Sequence, residues 1–176
     1  CGDAFGDGFV SLRNLRSQLY SLGQVTDQVG AAGPDVVVFI RPDLCYHDLL
    51  PVGAVRYAAR HPAACIVPAW QWWHGYNDRF AICGAASFRA YGGRGQLAEE
   101  CCRQTGGPLH SERLLRFALR RARCRIRVMA TRASRVRVDG TVVRERFNGA
   151  HTRAGDAWLR WEHRLFSWLS RKLSPG

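Results

Sequence analysis

The chain has 176 residues, 47% hydrophobic and 23% charged, a balance that supports one domain with a real core and argues against a disordered tail, a fibrous repeat or two full domains. Its net charge of +12 sits in one half: residues 1–100 carry 8 Arg against 9 acids, and residues 101–176 carry 17 Arg and 1 Lys against 5 acids. Such asymmetry points either to a polyanionic neighbour (RNA, an anionic surface, a phosphorylated substrate) or to a coding bias that uses Arg for every surface cation.

The first element in chain order is a helix. Leu12, Leu15, Leu19, Leu22, Val25 and Val29 recur at steps of three and four over Ser11 to Val29, one apolar stripe facing a core. Gly33-Pro34 breaks it. Val36 to Ile40 is then an apolar run without polar alternation, the pattern of a strand covered on both faces inside a parallel sheet. At five residues it is far below the roughly 18–20 residues of a membrane span. Pro42 stops it, which places Arg41 and Asp43 at its carboxyl edge, where open α/β sheets bind ligands.

A second strand, Ala64 to Pro68, runs into the aromatic loop Ala69-Trp70-Gln71-Trp72-Trp73-His74-Gly75-Tyr76 and then Asn77-Asp78-Arg79-Phe80-Ala81. Ser87 to Arg103 reads as helix interrupted by Gly92, Gly93 and Gly95, and Ser111 to Arg123 as a helix with Leu114, Leu115, Phe117, Ala118 and Leu119 on its apolar face. Ile126 to Met129 is a strand. Arg135 to Val138 and Thr141 to Arg146 flank Asp139-Gly140, a two-residue hairpin signal. Asp156 to Leu173 aligns Trp158, Trp161, Leu165, Trp168 and Leu169 on one side of a helix, docked on the domain or lying at a membrane interface. The order reads as α/β with antiparallel additions.

Seven cysteines show no C-x-x-C pair and no zinc spacing, and an odd count leaves the redox compartment open. The chain starts at Cys1 without a signal-peptide pattern, so a mature or truncated piece is expected.

A strand running into Arg41-Pro42-Asp43, with Asp48 and Leu49 shortly after, resembles the place where GT-A-fold glycosyltransferases carry their acidic D-x-D signature, with Arg41 standing where the first Asp would be. Val67-Pro68, Gly75 and then Asn77-Asp78-Arg79-Phe80-Ala81 resemble the N-D-R-F-A block of a glycosyltransferase-like family of large algal DNA viruses and plants, which itself carries Arg-Pro-Asp. Ser17 to Leu22, and Ser111-Glu112 through Arg135 to Gly140, resemble that family's first helix and its closing helix and basic strand, in the same order across residues 11–140.

The resemblance implies a GT-A-like (Rossmann-like) mixed sheet with flanking helices and a β-hairpin. Residues 1–150 would form a partial domain whose N-terminal nucleotide-binding part is missing and would come from an upstream segment or another subunit. Residues 151–176 would dock on it as a C-terminal amphipathic helix. The implied activity is hexosyl or pentosyl transfer from a nucleotide-sugar donor to a glycan or protein acceptor, with Mn²⁺ or Mg²⁺.

The residues can be assigned roles on that footing. Asp43 offers a hard oxygen ligand to the metal, and Arg41 a forked clamp for the donor's phosphates; the two could instead simply pair with each other. Asp78 is the candidate general base for the acceptor hydroxyl and Asn77 an orienting group, unless the two cap the next segment. Trp72, Trp73, His74 and Tyr76 are candidate acceptor contacts, unless the rings roof the core. A second reading is a catalytically inactive, glycosyltransferase-derived basic subunit, acting as a scaffold or binding RNA through Arg120, Arg121, Arg123, Arg125 and Arg127.

Overall fold

The computed structural model describes residues 2–29 and 33–147. Helix α1 spans Val10–Asp27, and the predicted stripe is its inner face: Leu19 is buried, and Leu12, Leu15, Leu22 and Val29 pack against buried clusters. Val25, on the edge of the stripe, is exposed instead.

Strand β1, Val36–Phe39, is followed by β2, Leu44–Tyr46, and by helix α2, Val52–Arg60. Then come β3 (Ala64–Pro68), β4 (Ala81–Gly84), α3 (Phe88–Gly92), a 3₁₀ turn (Gly93–Leu97), α4 (Ala98–Thr105), α5 (Ser111–Arg121), β5 (Arg125–Met129) and β6 (Ala133–Arg135). The long helix expected over residues 87–103 breaks into three pieces, because the glycines it contains carry a large entropic cost in a helix interior.

The main sheet has the order β1-β4-β3-β5. β4 runs antiparallel to both its neighbours, and β3 pairs parallel with β5, so β1, β3 and β5 all point the same way. This mixed α/β sheet with flanking helices corrects one expectation. Val36 to Ile40 is not an interior parallel strand: β1 is the outer strand of this sheet, antiparallel to β4, with Val38 and Ile40 exposed. The strands buried at every residue are β3 and β4; on β3, Cys65 and Val67 face one layer and Ile66 the other.

Helices α1, α3 and α5 cover the first face and α2 the second. Leu114, Leu115 and Leu119 on α5 are fully buried, each stabilising by about 1.5–3 kcal/mol relative to exposure. Neither β2 nor α2 stands out in the sequence. α2 is nine residues long, three of them alanine, too short for a periodic pattern to stand out.

The hairpin around Asp139-Gly140 is shorter than expected. Gly140 takes φ +81° in the turn, and beyond it the arms share one bridge, Val136 with Val142. Arg135, the first residue of the expected arm, also belongs to β6, which pairs antiparallel with β2, and its carbonyl accepts from the Val143 N–H. The expected helix at Asp156 to Leu173, and its docking, lie outside the described residues.

Candidate functional site

Because β1, β3 and β5 are codirectional, the loops leaving their carboxyl ends gather at one edge of the sheet, together with the loop that enters β4. That edge brings Arg41 and Asp43, after β1, to the Asn77-Asp78-Arg79 block, 34 to 38 residues later in the chain. The β1–β4 register, which pairs Phe39 with Ala81, sets the two blocks side by side, and the Asp43 hydrogen bond raises the Arg41 pKa against the effect of burial.

Arg41 and Asp43 form a forked pair, Nε to Oδ1 at 2.9 Å and Nη2 to Oδ2 at 2.6 Å. Arg41 thereby holds the Asp43 carboxyl below its ordinary value. Both side chains keep solvent access, 30% and 45%, so a ligand can reach them.

Asp78 is turned inward. Its Oδ2 accepts from Arg94 Nη2 at 3.1 Å and from Ser111 Oγ at the start of α5, and its side chain is 8% exposed. Arg94 is completely buried, donates from Nη1 to the Tyr91 carbonyl and lies 4.8 Å over the Tyr91 ring. The Tyr91 hydroxyl closes the circle by donating to the Asp78 carbonyl at 2.8 Å. Asn77, also buried, donates to the Trp70 carbonyl and accepts from the Arg79 backbone N–H. In this arrangement Asp78 braces the loop against α3, the 3₁₀ turn and α5 while Asn77 ties the loop to itself, which favours positioning over an open general base.

The aromatic loop divides in two. Trp70 is buried and donates to the Thr131 carbonyl, while Trp72 donates to the Pro68 carbonyl and meets the buried Tyr76 edge-on at 5.2 Å. Trp72 and Tyr76 therefore roof the core, and burial pushes the Tyr76 pKa up. Trp73 and His74 remain exposed. Gln71, Trp73 and His74 all have positive φ, 50°, 43° and 65°, a conformation that costs non-glycine residues about 1–3 kcal/mol each and clusters at functional sites. What holds the strained loop is Gly75: a Cβ there would lie 1.9 Å from the Glu112 carbonyl oxygen, and the next residue, Tyr76, donates its N–H to that same oxygen.

Sequence reasoning missed Glu145, Arg94 and the partner of Asp48. Glu145, 5% exposed, gathers three partners: Gln71 Nε2 at 2.8 Å, Arg135 Nε at 3.1 Å and Arg79 Nη1 at 3.1 Å. Arg79 also stacks 4.8 Å over Trp70. Asp48 forks onto Arg132 and accepts its backbone N–H. No motif marks these pairs, because their members are 10 to 84 residues apart.

Burial alone would raise the Glu145 pKa, but the Gln71 hydrogen bond and the Arg79 and Arg135 contacts outweigh it and hold it below 4.5. A depressed folded-state value stabilises above the unfolded pKa, and that stability drains away as pH falls through the folded value. Glu145→Gln is therefore expected to be less stable than the parent at neutral pH, yet to lose less stability between about pH 5 and pH 3. Urea midpoints across that range check it.

The five arginines expected to act together do not share a face. Arg121 pairs with Glu100 at 2.6 Å, and Arg120 lies near Tyr76 on the α5 side. Arg125 and Arg127 are on the opposite, α2 side at Tyr57, because alternate residues of β5 face the two layers; Arg123 is an exposed residue at positive φ between them. None of the candidate catalytic, donor, acceptor or polyanion-binding residues lines the groove of about 1190 Å³ between α1 and the 3₁₀ turn. No protein-family model, curated protein or solved structure matches the chain.

Proposed function

We propose that the sheet edge carrying Arg41, Asp43 and the Asn77-Asp78-Arg79 block is a glycosyl-transfer site of the GT-A type, using a nucleotide-sugar donor and a glycan or protein acceptor. The observation that supports it is the meeting of the two blocks: Arg-Pro-Asp and Asn-Asp-Arg-Phe-Ala, each carrying part of the resemblance, stand together at the carboxyl end of codirectional strands, where α/β sheets bind phosphorylated ligands.

Glycosyl transfer from such a donor needs the negative charge building up on the leaving diphosphate to be stabilised, and preorganised charge does this best. Arg41, accessible and already aligned by Asp43, offers a planar fork suited to phosphate oxygens. Asp43 supplies one carboxylate, compatible with Mg²⁺ or Mn²⁺ held largely by the donor's own phosphates; such an ion would add further neutralisation at the leaving group. Asp78, through Arg94 and Ser111, holds the loop that presents Trp73 and His74 to an acceptor.

Isothermal titration with a panel of nucleoside-diphosphate sugars tests this reading. Arg41→Gln is expected to weaken binding by about tenfold or more, the worth of a hydrogen bond to a charged group, with an unchanged melting temperature because the pair is partly exposed. Absence of donor binding in the parent protein, or equal affinity in the variant, would remove the proposal.

A further inference from the structure

The face of the sheet covered by α2 carries a second cluster. Tyr57 of α2 is sandwiched between His61, stacked at 4.0 Å with an interplanar angle of 14°, and Arg127 of β5, whose guanidinium carbon is 4.2 Å from the ring centre. Arg125 donates from Nη1 to the Tyr57 hydroxyl at 3.5 Å, and Arg56 and Arg60 stand exposed one turn apart on the same helix.

Among the described residues no carboxylate pairs with Arg56, Arg60, Arg125 or Arg127. This contrasts with the sheet edge, where Arg41, Arg79, Arg94, Arg132 and Arg135 each hold an acid. The sequence explains the difference: neither the segment 49–77 nor the segment 113–138 contains an Asp or Glu, and the fold lays parts of these two acid-free segments side by side. The neighbouring arginines are also held in place, Arg127 by its ring and Arg125 by the phenol, so little side-chain freedom is lost when they meet a ligand.

We propose that this α2–β5 face binds the phosphodiester backbone of single-stranded RNA. Arg125 and Arg127 are two residues apart on a strand, about 6.6 Å; Arg56 and Arg60 are four apart on a helix, about 6 Å. The result is a surface of forked donors at a repeat suited to successive phosphates, and the guanidinium is the side chain that grips phosphate bidentately. Nothing here reads a base, because both faces of the Tyr57 ring are already covered, so binding is indifferent to sequence. An anionic membrane is the competing occupant, since Leu49, Leu50 and Val52 stand exposed at the start of α2, but it fits less well because the exposed neighbours Ala59, Pro62 and Ala63 bring no free aromatic ring to enter a bilayer.

The face is separate from the proposed transfer site. Arg125 pairs with Ala64 at the start of β3, whereas the loop of the transfer site leaves β3 after Pro68, about 13 Å along the strand.

The test measures fluorescence anisotropy of labelled oligouridylate, about 12 nucleotides long, over a salt series, with the full chain. The parent protein is expected to bind, with affinity falling steeply as salt rises. Arg125→Gln/Arg127→Gln should weaken binding by about tenfold or more at low salt and reduce the salt slope by about 1.4, which is about 0.7 for each phosphate no longer neutralised. Arg120→Gln/Arg121→Gln removes the same charge from the other side of the sheet and should change both quantities much less. Arg56→Gln/Arg60→Gln provides a second probe of the face, with the same expected direction, if the first variant does not fold. Equal weakening by Arg120→Gln/Arg121→Gln would show bulk charge and no site. Absence of RNA binding overturns the proposal, and if phosphatidylserine vesicles bind in its place the face is a membrane contact.

Discussion

Asp78→Asn is expected to destabilise the protein by about 3–5 kcal/mol, the cost of leaving a buried charge without its partner, seen as a fall in melting temperature on the order of 10 °C. The neutral amide can still meet Ser111, but Arg94, with no exposed surface, would face it with an uncompensated charge. Removing both partners in Asp78→Asn/Arg94→Met should recover part of the loss, since a buried pair replaced as a unit costs far less than one broken singly. The pair of variants also separates two roles for Asp78. If it positions the loop, activity and stability should fall together, and activity should return in part with the double substitution. If it accepts a proton from the acceptor, turnover should collapse in Asp78→Asn and stay lost in the double variant even where stability is recovered.

Gly75→Ala is expected to cost about 3 kcal/mol, at the upper end for overpacking, although it adds a single methyl group. The added carbon would sit 1.9 Å from the Glu112 carbonyl oxygen and 2.5 Å from the Arg113 nitrogen, both backbone atoms of the first turn of α5, which no rotamer change can move aside. The loop must then leave α5, breaking the Tyr76 N–H bond to Glu112. Deuterium exchange of the Tyr76 amide should accelerate, and the near-ultraviolet signal of the Trp72–Tyr76 contact should weaken. Gly53→Ala, on α2 with no atom near the new carbon, is the control and should stabilise by about 0.5–1 kcal/mol. A Gly75→Ala protein as stable as the parent would mean that the loop is not pinned at this contact.

Some of this was legible residue by residue. α1 and α5 follow from their apolar periodicity, because a helix returns every third or fourth side chain to one face whatever it packs against. The glycine breaks in 87–103 and the turn at Asp139-Gly140 rest on backbone preferences that are equally local. β1 was misplaced for the complementary reason. An unbroken apolar run says that a strand can be covered on both faces, but only the neighbouring strands decide whether it is, and the position flanked on both sides went to β3 and β4. The aromatic loop was visible as chemistry, yet which rings are exposed depended on its close approach to α5 at Gly75. Arg41 with Asp43 could be anticipated as a pair two residues apart, whereas Asp48 with Arg132 and Glu145 with Arg79 could not.

By itself, then, the sequence determined the α/β class, the main helices, the two motif blocks and the concentration of arginine in the second half, since these depend on side-chain volume, periodicity and charge along the chain. Tertiary structure decided which arginines, among the described residues, stand beside an acid. The chain fold sets each cation beside an acid or beside none, and the energy of that encounter depends on distance and burial rather than on separation in sequence.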